Sequence, residues 1–377
     1  MRIAVLKDTA ERERRVALTP DAVKRLTGGG AGGGHAVVVE RGAGANAYFA
    51  DALYEAAGAE LAPDAASAAA GADLVARVQR PTPDQVALLP EGAALVAMLQ
   101  PPPGVAWADD ASVRALAERG VTAFALERVP RITRAQSMDV LSSQATVAGY
   151  KGVLLGAAHC ARLMPMLTTA AGSIPPAKAL VIGAGVAGLQ AIATARRLGA
   201  QVSAFDVRAA AREQVQSLGA TFVAAELVSA GAEAAGGYAR EQTAEERAAV
   251  AEALAQHATG MDLIVCTAAV PGRPAPRILD EATVRAMRPG AVVVDLAAET
   301  GGNCAATRPG ETVDVGGVVV LGPLNVPSTL PYHASMMLGR NVLTFAQHVA
   351  REGALHVDLA DEITGAMAVT HGGQVRA

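Results

Sequence analysis

Apolar and polar positions along the chain follow two patterns. Short apolar runs are typical of buried parallel strands, and longer stretches with apolar residues at helical spacing are typical of amphipathic helices. In the first third of the chain, strands are predicted at 2–6, 36–40, 73–78, 94–99 and 121–126, and helices at 20–26, 51–57 and 109–119. Strands that alternate with helices indicate a parallel sheet with helices on both faces.

The rest of the chain repeats this pattern. Strands are predicted at 179–182, 201–205, 221–224, 262–266, 291–295 and 317–321, which is the number of strands in a complete dinucleotide-binding sheet. One long helix is predicted over 136–162, and an amphipathic helix over 331–350. The tail, 366–376, contains a predicted hairpin turn at His371-Gly372-Gly373. Because this tail is too short to be a domain, we expect it to return to the first one.

A glycine-rich turn between two predicted strands is the most informative motif. Gly183, Gly185 and Gly188 follow the strand 179–182 and open a helix, and Asp206 ends the next strand. In a dinucleotide fold these glycines permit a tight turn, an approach to pyrophosphate, and close packing of helix on strand. The sequence therefore predicts an α/β fold with two doubly wound, Rossmann-like domains joined by long helices. The domains are 1–140 with 327–377, and a dinucleotide-binding domain at 141–326.

Asp206 also bears on the choice of dinucleotide. A carboxylate at this place accepts hydrogen bonds from an adenosine ribose and repels a 2′-phosphate, which favours NAD over NADP. Arg208 leaves alternatives open, since it can bind that phosphate, stack beside the adenine or remain solvated.

Composition excludes several classes. The chain has 377 residues, 51% of them apolar and 18% charged, with a net charge of −4 and no long basic run, so nucleic acid is not an expected partner. Three widely spaced cysteines and seven histidines without metal spacing predict neither a disulfide framework nor a metal site. The chain starts with a strand pattern rather than a signal peptide, and no apolar run reaches about 18 residues, the length that spans a membrane.

The run R-I-T-R-A-Q-S-M-D-V-L-S-S-Q at 131–144 is dense in hydrogen-bonding side chains and follows a strand end, where open α/β sheets place their ligands. Arg131, Gln136, Asp139 and Ser142 have spacings that can share one helix face. A capping box, with Thr133 as N-cap and Gln136 three positions later, is the alternative. A further stretch, 225–241, contains Gly236-Gly237-Tyr238 and is either a lid or a surface loop.

Several motifs together resemble one family. They are the run 131–144, G-A-G-V-A-G-L-Q-A-I-A-T-A at 183–195, F-D-V-R-A-A at 205–210, A-G-G-Y-A at 235–239, V-P-G-R-P-A-P at 270–276 and D-L-A-A-E-T-G-G-N-C at 295–304. The chain resembles the NAD(H)-binding component, domain I, of proton-translocating transhydrogenase. The resemblance implies hydride transfer between NAD(H) on this chain and NADP(H) on a separate domain III, coupled to proton movement through a membrane domain II.

The resemblance also implies roles for individual residues. Arg131, Gln136, Asp139 and Ser142 are expected at the nicotinamide end, as the groups that serve catalysis. Cofactor binding is further expected from Arg134, Gly183, Gly185, Val186, Gly188, Asp206, Val207, Arg208 and Ala269, and from Gly237 and Tyr238 on a mobile loop. No metal is expected. The family further implies a homodimer, for which the apolar helical residues after Pro331 also speak. It implies a cytoplasmic location, peripheral on the inner membrane through the partner subunits, with domain I as its own polypeptide.

Alanine dehydrogenase is the nearest rival, since it shares the R-V-A-x-T-P motif, here 15–20. That enzyme needs a Lys and a His in its cleft, where this chain has Arg77 and Gln100, and Glu299 replaces an Asp. Gln100 cannot transfer protons, which argues against amino-acid oxidation. Arg77 also departs from the lysine usual in transhydrogenases, and the glycine-rich insertion at 28–34 is atypical. A non-catalytic NAD-binding module is the third interpretation.

Overall fold

A computed structural model describes residues 1–28, 33–223, 243–269 and 272–376. Its strands are β1 (Arg2–Val5), β2 (Ala36–Glu40), β3 (Glu60–Ala62), β4 (Leu74–Ala76), β5 (Ala94–Ala97), β6 (Thr122–Ala125), β7 (Leu167–Thr169), β8 (Gly172–Ile174), β9 (Lys178–Ile182), β10 (Gln201–Phe205), β11 (Thr221–Phe222), β12 (Leu263–Cys266), β13 (Val292–Asp295), β14 (Thr312–Val315), β15 (Val318–Leu321), β16 (Ala350–Arg351), β17 (Ala354–Leu355), β18 (Ala368–His371) and β19 (Gln374–Val375). Its α-helices are α1 (Pro20–Thr27), α2 (Asp51–Ala56), α3 (Ala65–Ala69), α4 (Pro83–Val86), α5 (Ala111–Glu118), α6 (Val140–His159), α7 (Val186–Arg197), α8 (Ala211–Ser217), α9 (Ala244–Ala258), α10 (Glu281–Arg285), α11 (Pro331–Val349) and α12 (Glu362–Met367).

The chain divides into two compact units. Unit 1 comprises Met1–Gln144 and Pro327–Ala377, and unit 2 comprises Ala145–Val326. Each unit contains one large sheet in which most neighbouring strands are parallel. The predicted α/β class, with two doubly wound parallel sheets, is confirmed.

The sheet of unit 1 has the strand order β19-β18-β6-β5-β4-β1-β2-β3. Its strands are parallel except for β18 and β19, which form an antiparallel hairpin, and β18 also pairs antiparallel with β6. The predicted hairpin in the tail is therefore confirmed. The order reverses between β1 and β4, so the carboxyl ends of these two strands form the switch point, where open α/β sheets bind ligands.

Helix α11 supplies part of the core of unit 1. Leu338, Val342, Phe345 and Val349 are buried among residues of the sheet and of α1. The ring of Phe345 packs on that of Phe124, with centroids 5.0 Å apart. The apolar periodicity after Pro331 is thus explained by packing inside unit 1 and carries no argument for a subunit interface.

The sheet of unit 2 has the order β11-β10-β9-β12-β13-β15-β14. The six predicted strands all occur, and β14 adds a seventh that pairs antiparallel with β15. The sequence did not predict β14, nor the hairpin of β7 and β8, whose residues are exposed. Here the order reverses between β9 and β12, so the glycine turn after β9 lies at the switch point of this sheet.

One predicted helix has a different start. Instead of a single helix over 136–162, a 3-10 helix covers Thr133–Met138, and α6 begins at Val140. Asp139 provides the cap, because its Oδ1 accepts a hydrogen bond of 2.9 Å from the backbone N–H of Ser142. The alternative capping box of Thr133 and Gln136 is wrong, since the side chain of neither residue caps this 3-10 helix.

Two sequence predictions lie outside the described residues. The stretch 225–241, with Gly237 and Tyr238, falls in the gap between 223 and 243, and most of the insertion 28–34 falls in the gap between 28 and 33.

Candidate functional site

The glycine turn of unit 2 has three glycines with different surroundings. Gly183 has φ +91°, and a Cβ on it would lie 2.8 Å from Thr267 Oγ1. A Cβ on Gly188 would lie 1.8 Å from the carbonyl oxygen of Gly183. A Cβ on Gly185 would meet nothing within 4 Å. Two glycines are therefore required for packing, and the third borders open space at the amino end of α7, where a helix attracts phosphate.

Asp206 joins the next strand to this turn. Its side chain is only 6% exposed, and Oδ2 accepts a hydrogen bond of 2.7 Å from the backbone N–H of Ala184. Arg208 covers the rest of the carboxylate: its backbone N–H and Nε lie 2.8 and 2.9 Å from Oδ1. Arg208 Nη2 lies 2.9 Å from Oδ2. The acid predicted for the ribose thus lies at the glycine turn, and the charge of Arg208 is already compensated.

The remaining unit 2 residues predicted for the cofactor border the same turn. Val186 is 42% exposed at the first position of α7, and Val207 is half-buried just after Asp206. Ala269 is exposed two positions after Thr267, whose hydroxyl donates to the carbonyl oxygen of Gly183 at 2.9 Å. The structure therefore places these residues around one opening in unit 2.

The polar run 131–144 lies in unit 1, and only part of it is joined by direct contacts. Ser142 Oγ donates a 2.6 Å hydrogen bond to Asp139 Oδ2, in addition to the cap already described. Arg134 instead pairs with Asp361, with Nη1 2.7 Å from Oδ2. Arg131 and Gln136 are exposed. Within the described residues, the Gln136 side chain makes no hydrogen bond, so it is available to a ligand.

A buried ion pair fills the switch point of unit 1, and the sequence reasoning missed it. Asp8, just beyond β1, accepts a 2.7 Å hydrogen bond from the backbone N–H of Val78, just beyond β4. Arg77 Nη2 lies 3.4 Å from the same carboxylate, and both side chains are nearly fully buried. Burial raises the pKa of Asp8, and the charge of Arg77 opposes that shift. The signal available in the sequence was the position of both residues at strand ends.

A second buried pair lies at the start of the R-V-A-L-T-P stretch. Arg15 binds Glu13 through two hydrogen bonds, Nε to Oε1 at 2.9 Å and Nη2 to Oε2 at 2.7 Å. Gln144 accepts from Arg15 Nη1 at 2.8 Å, and Gln79 donates to Glu13 Oε2 at 2.7 Å. Burial raises the pKa of Glu13, but the hydrogen bonds and charge of Arg15 outweigh it and lower that pKa to about 2. Both charges are therefore satisfied inside unit 1.

Glu127 carries a buried carboxyl of a different kind. It lies just beyond β6, and Oε1 accepts a 2.8 Å hydrogen bond from the backbone N–H of Leu99. Oε2 is buried without a hydrogen-bond partner in the described part of the chain. Burial raises the pKa of this carboxyl to about 7, against the lowering effect of the backbone hydrogen bonds.

Metal-binding and membrane-spanning features are lacking in the residues that the structure describes. No group of three or more His, Cys, Asp or Glu side chains there is arranged to hold a metal ion. None of the helices in those ranges combines the length and apolarity that crossing a bilayer requires.

Comparisons with known proteins place the chain in a family. The family model "Alanine dehydrogenase/PNT, N-terminal domain" matches residues 4–148, and "Alanine dehydrogenase/PNT, C-terminal domain" matches residues 152–377. In Rhodospirillum rubrum the NAD(P) transhydrogenase subunit alpha is divided, and its first piece is 46% identical over 383 residues. That match covers 100% of this chain and 97% of the relative.

Solved structures agree with this assignment. A transhydrogenase from Sinorhizobium meliloti matches with a TM-score of 0.85 and 42% identity, covering 100% of this chain and 98% of that one. An L-alanine dehydrogenase matches with a TM-score of 0.80 and 27% identity, covering 100% and 96%. The resemblance inferred from the motifs is confirmed: the chain belongs to the alanine dehydrogenase/PNT family, among the relatives of the transhydrogenase alpha subunit.

Proposed function

We propose that the chain is the NAD(H)-binding component of a proton-translocating transhydrogenase. NAD(H) binds at the glycine turn of unit 2, and hydride passes between it and NADP(H) held on a separate domain III. The observation that carries the proposal is the open space in front of Gly185, at a switch point, with Asp206 hydrogen-bonded to the same turn. Two glycines that cannot carry a side chain and one that faces a free volume suit a bound pyrophosphate.

NAD(H) rather than NADP(H) is the dinucleotide proposed for this chain. A 2′-phosphate placed near Asp206 meets a carboxylate that is nearly buried. Arg208, the cation that would attract such a phosphate, is engaged with that carboxylate through two side-chain nitrogens. A ribose hydroxyl needs only a share of the acceptor capacity of Asp206, which has about four lone-pair sites.

The residues proposed for the nicotinamide end are polar but include no proton-transfer pair. Bound NADH supplies the hydride directly, so the protein has to orient the ring and exclude water. Arg131 and Gln136 are exposed in unit 1 and offer a guanidinium and an amide. Asp139 and Ser142 are fixed by their mutual 2.6 Å hydrogen bond, which gives them a defined position. Arg134, also predicted to bind the cofactor, would first have to leave Asp361.

Amino-acid oxidation by the chain alone is less well supported. Binding a 2-oxo acid requires a cation that is free to meet its carboxylate. Arg77 and Arg15 are each about 3% exposed and are already paired with Asp8 and Glu13. Gln100 has no proton to exchange at neutral pH, and Glu299 Oε1 accepts a 2.5 Å hydrogen bond from the backbone N–H of Asn325. These groups are committed to the fold of their own units.

The proposal includes partners. Domain III holds NADP(H), and a membrane domain II couples transfer to proton movement, so that this chain works at the cytoplasmic face of the inner membrane. A homodimer is expected from the family. Light scattering that finds only monomer at assay concentrations would count against the dimer without touching the nucleotide assignment.

The test is a reconstitution. The purified chain should bind NADH yet turn over slowly alone, and a domain III protein loaded with NADP(H) should restore transfer between NADH and an NADP analogue. Brisk reductive amination of pyruvate by the chain alone would instead establish the alanine dehydrogenase alternative. NADH binding without transfer to any domain III would leave a non-catalytic binding module.

A further inference from the structure

Asn303 ties three segments of unit 2 together with one buried side chain. It is 0% exposed, and its Oδ1 accepts a 3.0 Å hydrogen bond from the backbone N–H of Ala268. Its Nδ2 donates to the carbonyl oxygens of Ala268 and Pro276 at 2.7 and 2.9 Å. The amide orientation is fixed by these contacts, because one atom meets a donor and the other meets two acceptors.

The loop that carries Asn303 is itself held in place. Gly301 and Gly302 have φ +105° and +82°, and a Cβ on Gly302 would lie 2.6 Å from Asp295 Oδ2. The same oxygen accepts a 3.0 Å hydrogen bond from the backbone N–H of Cys304. The G-G-N-C sequence thus brings Asn303 to one position, anchored by the buried carboxylate of Asp295.

The segment that Asn303 holds faces the glycine turn. Thr267 and Ala268 follow β12, and Gly183 follows β9, on the two sides of the switch point. An added Cβ at Gly183 would lie 3.0 Å from the backbone nitrogen of Ala268, and the Thr267 hydroxyl donates to the carbonyl of Gly183 at 2.9 Å. A shift of Ala268 therefore changes the position of one wall of the opening.

We propose that Asn303 is a positioning residue of the dinucleotide site. Its carboxamide fixes the segment 267–269 against the glycine turn, and so sets the width of the opening that receives the cofactor. The inference rests on the proposed binding of NAD(H) in unit 2, but not on transfer to a partner. A loss of affinity is expected when the carboxamide is altered, because small displacements at a binding wall weaken every contact made there.

The direct test measures NADH binding to the isolated full chain by quenching of NADH fluorescence. Asn303→Asp keeps the shape and replaces both donated hydrogen bonds with repulsion from two carbonyl oxygens. Its dissociation constant for NADH should rise at least tenfold. The control is Val318→Ala, a cavity in the core of the same unit on β15, without a hydrogen bond to the segment 267–269. It should lower the melting temperature and leave NADH affinity within twofold of wild type.

A second variant keeps the test decisive if Asn303→Asp does not fold. Thr267→Val removes the hydroxyl that joins the same segment to Gly183 and should also weaken NADH binding, whereas Thr267→Ser should recover most of the affinity. Unchanged affinity in a folded Asn303→Asp or in Thr267→Val, with only a lowered melting temperature, overturns the positioning role. Wild-type chain that fails to bind NADH overturns it too. Wild-type chain that binds NADH but transfers no hydride to domain III overturns only the proposed function.

Discussion

Arg208 holds Asp206 through two side-chain contacts, Nε to Oδ1 and Nη2 to Oδ2, both at 2.9 Å. The pair occupies the acceptor that an adenosine ribose needs and the cation that a 2′-phosphate needs. Cofactor choice at this place therefore depends on how the two residues share their contacts, and not on the carboxylate alone.

Asp206→Ala should weaken NADH binding and relax discrimination against NADPH. The lost ribose hydrogen bonds should cost roughly 1–3 kcal/mol, since the carboxylate is nearly buried. The variant also releases Arg208, which then becomes available to a 2′-phosphate. Dissociation constants for both cofactors, measured by fluorescence titration, check this.

The double variant Asp206→Ala with Arg208→Leu is the matched control. It should lose the gain in NADPH affinity while keeping the loss in NADH affinity. Equal NADPH affinity in the single and double variants would show that Arg208 is not the phosphate-binding cation.

Gln136→Asn should slow hydride transfer by an order of magnitude or more, because the amide is drawn back by one methylene and small misplacements of reacting groups are expensive. NADH affinity and melting temperature should change little, since Gln136 does not cap a helix. Stopped-flow transfer between bound nucleotides, with domain III present, isolates the chemical step. A normal single-turnover rate would remove Gln136 from the site.

Thr133→Ala separates the same question from the side of stability. A capping threonine would lose about 1 kcal/mol of unfolding free energy when replaced by alanine. The Thr133 side chain makes no cap hydrogen bond, so we expect chemical denaturation curves that overlay those of wild type.

Asp139 combines a structural contact with its proposed role, and two substitutions distinguish them. Asp139→Ala removes the cap of α6 and should cost about 1 kcal/mol of unfolding free energy. Asp139→Asn keeps a good capping residue and should preserve stability. If Asp139 orients the nicotinamide end, the transfer rate should fall in both variants. A rate loss confined to Asp139→Ala would assign the residue to the helix alone.

Glu127 should make stability depend on pH. Its pKa is about 7 in the folded chain, against 4.5 for an ordinary glutamate, so the folded state binds the proton more tightly. The resulting stability is fully present below pH 4.5 and is lost as the pH rises through 7. The full difference is on the order of 3 kcal/mol.

Denaturant unfolding at pH 5 and pH 8 tests this dependence. Glu127→Gln should match wild type at pH 5 and exceed it in stability at pH 8, because the amide is never charged. Glu118→Gln, on an exposed position of α5, should show no such difference. Parallel pH profiles for wild type and Glu127→Gln would contradict the raised pKa.

Local patterns carried much of the fold and part of the site. The strands of both sheets and the turn from Gly183 to Asp206 were predictable, because apolar runs and glycine spacing are properties of adjacent residues. The start of α6 was not, since a 3-10 turn and an α-helix share the same apolar spacing over Thr133–Met138, and only the Asp139 contact separates them. The short strand β14 was also missed.

Contacts between distant residues were outside the reach of the sequence. Arg134 meets Asp361 across 227 positions, and Asn303 meets Ala268 across 35. No periodicity or motif reports such pairs, which exist only once the sheets have formed. The ion pair of Asp8 and Arg77 belongs to the same class, because it depends on two strand ends becoming neighbours.

The position of α11 and β18 in unit 1 has a consequence for synthesis on the ribosome. Residues 145–326 are continuous and can condense while the chain is still growing. Phe124 must wait for Phe345 and for Ala368, its partner on β18, both more than two hundred positions later. Until then the edge strand β6 and its apolar neighbours are uncovered, which is when chaperone binding should be strongest.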